Sequence, residues 1–236
     1  SSGATISTSG STLLHASGSI LQGTGRSISA SAISLTSDGG TIGTSATPLS
    51  IATSGLSARS FGKDMFFNVS AFGTGTALQF NSISNSSNGQ IAATSLSGVN
   101  AGAGNVLIDA GSSLAVNSFT NTSTAQTSSI TAGNFAVSAS SINISGANVQ
   151  SLAASTNGAI TFINNTSLQL NNINGGAAIS TPGAVILSAA GNLGQTQVQS
   201  GRISVGGNFS ATASSSNGTA VAVALTNSGN AIGGTI

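Results

Sequence analysis

The chain has 236 residues, and charged side chains make up 3% of them, against about a quarter in ordinary globular domains. Four basic residues cannot supply the clustered positive charge that binds nucleic-acid phosphates, so we expect no nucleic-acid partner. The longest apolar stretches, such as residues 219–225, fall far short of the ~20 residues of a membrane-spanning helix. The sequence therefore predicts a chain that does not span a membrane.

Isoleucine, valine, leucine and phenylalanine recur at short intervals, and the mean hydropathy is +0.32, which disordered chains do not show. Helical periodicity is nearly absent, while Gly, Ser, Thr and Asn occur every few positions. These features predict short strands joined by turns. Turn pairs of the Asn-Gly or Pro-Gly type occur at 88–89, 157–158, 174–175, 182–183 and 217–218.

Few residues in the first part of the chain could carry chemistry. His15 is the sole histidine, and we interpret it as a strand or turn residue, because a metal site needs several ligands. The stretch ARSFGKDMFF at 58–67 holds the only group of charges, Arg59, Lys63 and Asp64. It is read either as a solvated loop, with Met65, Phe66 and Phe67 returning to the core, or as a lateral or ligand contact.

Two later segments share one pattern. GNVLIDAGSSLAVNSF at 104–119 and GAITFINNTSLQLNNI at 158–173 align without a gap, and a third copy, GAVILSAAGNL, begins at Gly183. A Gly-Asn-apolar triplet also recurs at 104–106, 133–135, 191–193 and 207–209. Degenerate repeats of this length with several short strands each are typical of a β-solenoid.

In a solenoid, one coil cannot bury its own apolar residues, so coils stack ~4.8 Å apart and inward side chains pile on their equivalents. Gly and Asn suit the corners, and inward Asn can form hydrogen-bonded ladders. At roughly 25 residues a coil, residues 1–236 would form one domain of about nine coils. A Greek-key sandwich is the alternative, but it does not explain the repeated pattern.

The segment GGTIGTSATPLSI at 39–51, followed by LSARSFGKDMFF at 56–67, resembles a segment of the filamentous-haemagglutinin-like exoproteins of bacteria. The stretch at 187–213 is similar in style to the later coils of such proteins, but their Asn-Pro-Asn secretion motif is not found. The resemblance implies a right-handed parallel β-helix, exported to the cell surface or the medium, that acts as an adhesin or a structural fibre. The pattern also predicts that the chain is an excerpt of a longer chain or polymer.

The sequence thus favours a non-enzymatic structural or adhesive segment, with no cofactor and no metal site. Its expected partners are copies of itself, surfaces and glycans, outside a bacterial cell. The alternative is a β-helix that binds or cleaves carbohydrate, but Asp38, Asp64 and Asp109 lie apart in sequence and too few charges remain for an acid, a base and a substrate clamp. An ice-binding solenoid would need regular ranks of Thr, which are scattered here.

Overall fold

A computed structural model describes residues 5–61, 63–70, 78–80, 82–83, 96–97, 99–100, 106–110, 114–115, 130–172, 177–197, 201–215 and 218–236. Every helix or strand named in these ranges is a β-strand. The prediction of an all-β fold is confirmed. No helix in the described part of the chain is long and apolar enough to cross a bilayer.

The strands are short, as the frequent turn residues require. The first half contains β1 (Ile6–Ser7), β2 (Ser11–Ala16), β3 (Ile28–Ser29), β4 (Ala32–Ser37), β5 (Leu49–Ala52), β6 (Gly55–Ser60), β7 (Met65–Ser70), β8 (Leu78–Phe80), β9 (Ser82–Ile83), β10 (Leu96–Ser97), β11 (Val99–Asn100), β12 (Val106–Ala110) and β13 (Leu114–Ala115). The second half contains β14 (Ile130–Ala139), β15 (Ile142–Thr156), β16 (Ile160–Asn164), β17 (Leu168–Leu170), β18 (Ile179–Thr181), β19 (Val185–Ala189), β20 (Leu193–Gln195), β21 (Ile203–Val205), β22 (Phe209–Ala213), β23 (Val223–Ala224) and β24 (Ala231–Ile232).

Twenty-two of these strands form one parallel sheet that curls into a nearly closed, barrel-like arrangement. The other two, β9 and β10, pair antiparallel and lie against β4 and β6. Each strand of the large sheet pairs with chain that comes well before or after it in sequence. Paired residues can lie 17 positions apart, as Ala147 and Asn164 do, or 41 positions apart, as Met65 and Val106 do. The chain therefore returns alongside itself at an uneven interval.

The core is a set of apolar side chains stacked from strand to strand. One such column joins directly paired residues on β5, β7, β12, β14, β15, β18 and β21, and each of its members is buried. Across the interior, the ring of Phe135 stacks on that of Phe162 with 6.2 Å between the centroids. The members of the column are Leu49, Phe67, Ile108, Val137, Ala154, Ile179 and Ile203.

The repeats predicted from sequence hold in one place and fail in another. The copy at Gly183 is in register with the copy at 158, because Ile160 pairs with Val185 and Leu168 with Leu193. The copies at 104 and 158 are not equivalent. The alignment sets Val106 against Ile160. In the structure, however, Leu114 pairs with Ile142, and Ile142 pairs with Ile160. The two segments therefore contribute equivalent residues to different columns. Their apolar patterns are still alike, because any inward position accepts an aliphatic side chain.

The asparagines of the Gly-Asn-apolar triplets bind the chain that stacks on them. The Oδ1 of Asn192 accepts a hydrogen bond from the N–H of Ala222, and the Oδ1 of Asn208 accepts one from Thr235. The predicted ladder of inward Asn is wrong at Asn164, the buried Asn of β16, whose paired neighbours are Ala147 and Ala189. Asn164 instead bonds to backbone groups of Val149 on the neighbouring strand and of the turn that follows β16.

Glycines stack where one corner of the sheet is thinnest. A Cβ placed on Gly183 would lie 2.5 Å from the carbonyl oxygen of Gly158, and one on Gly207 would lie 2.8 Å from that of Gly183. One on Gly234 would lie 2.6 Å from the carbonyl oxygen of Gly207. Real Cβ atoms do not approach backbone this closely, so a side chain in this row would push neighbouring strands apart.

We therefore expect Gly183→Ala to destabilise the protein by about 1–3 kcal/mol, the usual cost of overpacking. Urea unfolding followed by far-UV circular dichroism measures it, since the chain has no Trp or Tyr. Gly23→Ala is the matched control, because a Cβ there meets nothing within 4 Å. Equal effects of the two substitutions would show that the close approach at Gly183 is not real.

Candidate functional site

The charged group predicted from sequence lies on the surface, between β6 and β7. The guanidinium of Arg59 sits 4.1 Å from the ring centroid of Phe61, which is 50% exposed. Lys63 is exposed, and its carbonyl accepts a hydrogen bond from the hydroxyl of Ser60. Asp64 is partly buried, and its carbonyl accepts one from the N–H of Ile42 at 3.1 Å. A ligand or lateral contact at this group stays a prediction.

The three residues after this loop do not all return to the core. Met65 and Phe67 are buried, at 0% and 2% exposure, but Phe66 between them is only partly buried. The prediction that all three are core residues is wrong for Phe66, because successive residues of a strand point to opposite faces. Phe66 therefore lies on the outer face of β7.

His15 lies in β2, as predicted, and its Nε2 is 2.8 Å from the Oδ2 of Asp38. The pairing of β2 with β4 brings His15 next to Asp38, which follows β4 directly. Both side chains are nearly half exposed, at 44% and 46%, so the pair contributes at most about 1 kcal/mol. Among the described residues, no three of His, Cys, Asp and Glu lie together as a metal site would require.

The three aspartates of the carbohydrate-cleaving alternative lie on different parts of the sheet. The backbone of Asp109 pairs with Asn68 of β7, and Asp64 precedes Asn68 by four positions. Asp38 is paired with His15. Cleavage of carbohydrate stays an alternative prediction.

A groove of about 570 Å³ lies on the outer face of the column described above. Its floor includes Phe66 of β7 and the paired residues Ala136 and Ala153 of β14 and β15, which lie on one outward row. Although they face outward, Ala136 and Ala153 are only 5% and 8% exposed. The floor is therefore recessed between walls, and its small side chains leave the space that forms the groove.

A row of hydroxyl groups runs beside this floor. Ser138 pairs with Ser155, Ser155 with Ser180 and Ser180 with Ser204, so four serines follow one another on neighbouring strands. The first three line the groove, with Ser138 and Ser155 exposed and Ser180 partly so. Parallel strands lie about 4.8 Å apart, which sets the spacing of the hydroxyls.

One wall of the groove is a short, braced loop that includes Ser45 and Pro48. Thr44 and Thr47 hold it: the N–H of Thr47 donates to the Oγ1 of Thr44 at 3.0 Å, and the N–H of Thr44 donates to the carbonyl of Thr47. Before the loop, Gly43 adopts a positive φ of 68°, and a Cβ there would meet the backbone of Phe66. The opposite wall includes Asn172 and Ala177.

Sequence analysis missed this groove, although it singled out the segment at 39–51 that forms one wall. Ser138, Ser155 and Ser180 are unremarkable among many serines, and only the register aligns them. The segments that begin at 158 and 183 are correctly aligned in the sequence. Extending this alignment to earlier strands is the one sequence signal that points to the three serines.

Two further concave surfaces lie at the two ends of the barrel-like sheet. The first, of about 360 Å³, is lined by apolar residues that include Leu14, Ile20 and Leu21, and by polar residues that include Arg26. The second, of about 750 Å³, is lined by residues that include Phe209 and Ile232. Leu21 is 62% exposed. Both ends therefore present the apolar interior of the sheet.

Comparison with protein-family models, with curated proteins and with solved structures finds no match to this chain. The resemblance to filamentous-haemagglutinin-like exoproteins thus stays a prediction. Function has to be argued from the geometry described above.

Proposed function

We propose that the chain is a structural and adhesive segment of a right-handed β-helix of about nine coils, located outside a bacterial cell and without enzymatic activity. At ~4.8 Å a coil, such a rod is about 45 Å long. The observation that carries the proposal is the column of seven paired, buried apolar residues from Leu49 to Ile203. A column that advances by one strand each time the chain returns is what stacked coils produce. The extracellular location and the handedness come with the resemblance.

We further propose that the partner of this rod is a second copy, stacked end to end. The apolar surfaces at the two ends support this, since each would be covered by the strands of another copy in the same parallel arrangement. The low charge removes the repulsion that keeps most proteins apart. Binding of surfaces or glycans by the sides of the rod is the adhesive part of the proposal.

Negative-stain electron microscopy of the purified chain tests the assembly. We expect thin filaments many times longer than one rod, and fewer of them on dilution. Leu21→Asp should abolish the filaments, because it places a charge in the end surface, while the fold is kept because Leu21 is already 62% exposed. Short particles of a single size at every concentration would contradict end-to-end stacking.

Ile186→Asp is the matched control, because Ile186 is 51% exposed but lies on the side, in β19. Filaments should persist in this variant. If it dissolves them as fully as Leu21→Asp does, copies associate through their sides and the end-to-end proposal is wrong.

A further inference from the structure

The groove over β7, β12, β14, β15 and β18 has the features of a binding site for an extended polar chain. It runs across five neighbouring strands, which at ~4.8 Å a step is roughly 19 Å. Its volume of about 570 Å³ is within the usual range of ligand sites, about 300–1,000 Å³. An elongated site of this length fits a linear ligand better than a compact one.

The spacing of the groove's hydroxyls matches one class of linear ligand. Ser138, Ser155 and Ser180 present one hydroxyl for every strand, and the strand spacing is close to the distance by which one pyranose advances an extended β-linked glycan. Each sugar would thus meet an equivalent hydroxyl. Hydroxyls both donate and accept hydrogen bonds, as sugar hydroxyls do.

The floor complements the other face of such a ligand. Phe66 offers an aromatic surface at one end, and Ala136 and Ala153 continue an apolar strip beside the serines. Pyranose rings have one edge of hydroxyls and faces of C–H groups, which pack on aromatic and aliphatic surfaces. A polar row beside an apolar strip is therefore the pattern that a sugar chain lying along the groove requires.

The charge of the lining selects among glycans. The described residues that line the groove include no Asp, Glu, Lys or Arg. A sulfated or uronic-acid glycan would lose hydration on entering this groove and gain no opposite charge, a net cost.

We propose that this groove binds a neutral, β-linked linear oligosaccharide of about four sugars, which lies along the row Ser138, Ser155 and Ser180. The proposal deepens the adhesive part of the proposed function and therefore rests on it. The braced loop at 44–48 forms its wall before any ligand is present, which keeps the ordering cost of binding low.

Isothermal titration of the whole chain with cellotetraose and with tetra-N-acetylchitotetraose tests the proposal. At least one should bind, ~10-fold or more tightly than its disaccharide, and tetragalacturonate should bind more weakly than both. The triple variant Ser138→Ala, Ser155→Ala, Ser180→Ala should weaken binding ~10-fold or more, since each hydrogen bond contributes about 0.5–1.5 kcal/mol. These serines are surface residues, and circular dichroism checks that the triple variant keeps its fold.

One single variant serves as the matched control. Ser204→Ala removes the next serine of the same row, which does not line the groove, and should change the affinity less than ~2-fold. Loss of binding in this control, an unaffected triple variant, tighter binding of tetragalacturonate, or no binding of either neutral tetrasaccharide at millimolar concentration would each overturn the proposal.

The glycan and assembly experiments fail separately. The triple variant should still form filaments, because none of its three serines lines either end surface. Filaments without glycan binding would contradict the glycan site and support end-to-end stacking. Glycan binding without filaments would contradict end-to-end stacking and support the glycan site.

Discussion

Phe135→Ala is expected to lower the free energy of unfolding by about 3–5 kcal/mol. Phe135 is fully buried, and its paired neighbours on the two adjoining strands are Val106 and Leu152. Its ring also stacks on Phe162 at 6.2 Å, across the interior. Truncation leaves a cavity that the stacked strands on either side cannot fill, because their backbones are fixed by hydrogen bonds.

Urea unfolding followed by far-UV circular dichroism gives the change for Phe135→Ala. Phe61→Ala is the matched control, because it deletes the same atoms from a ring that is 50% exposed. That ring lies beside Arg59, and an exposed cation–π contact contributes about 0.5–1 kcal/mol, so the control should lose no more than that. A loss at Phe135 no larger than the loss at Phe61 would mean that the stacked core is misplaced.

The sequence predicts the class of this fold for reasons that the structure makes clear. Short apolar runs between Gly and Asn leave no room for helices, and the match between the segments at 158 and 183 survives because both have the same length. Ile160 and Val185 therefore meet directly. Where intervals are equal, copied patterns and paired strands coincide.

The sequence predicts register poorly because the interval between paired residues varies. Phe135 and Leu152 pair within a short interval, whereas Val106 pairs with Met65 across a much longer one. A fixed period of about 25 residues cannot follow such changes. An aliphatic residue is acceptable in any column, so no individual residue reports the slip between the segments at 104 and 158.

The groove was beyond sequence reasoning for a related physical cause. Its floor is made by the smallness of Ala136 and Ala153, and small residues give no pattern of their own. The charged residues predicted as a contact lie elsewhere: Arg59 in β6, and Lys63 and Asp64 in the loop before β7, outside the residues that line the groove. The aligned hydroxyls of the groove become visible only once the register is known.

Asn164 is expected to be the polar residue on which the fold depends most. Its side chain is buried, with 1% exposure, and its amide replaces a peptide group of the sheet. The Oδ1 accepts a hydrogen bond from the N–H of Val149 at 3.0 Å, and the Nδ2 donates to the carbonyl of Val149 at 2.9 Å. The same Nδ2 lies within 3.2 Å of the carbonyls of Thr166 and Ser167, and so anchors the turn that follows β16.

Asn164→Leu keeps the volume of the side chain but leaves both backbone groups of Val149 buried without this partner. Each such group costs about 1–3 kcal/mol, so we expect a loss of about 2–6 kcal/mol, measured by urea unfolding. Asn165→Leu is the matched control on the exposed neighbour and should change stability by less than about 0.5 kcal/mol. If Asn164→Leu is as stable as the wild type, the amide does not stand in for a strand, and the pairing of β15 with β16 at this corner must differ.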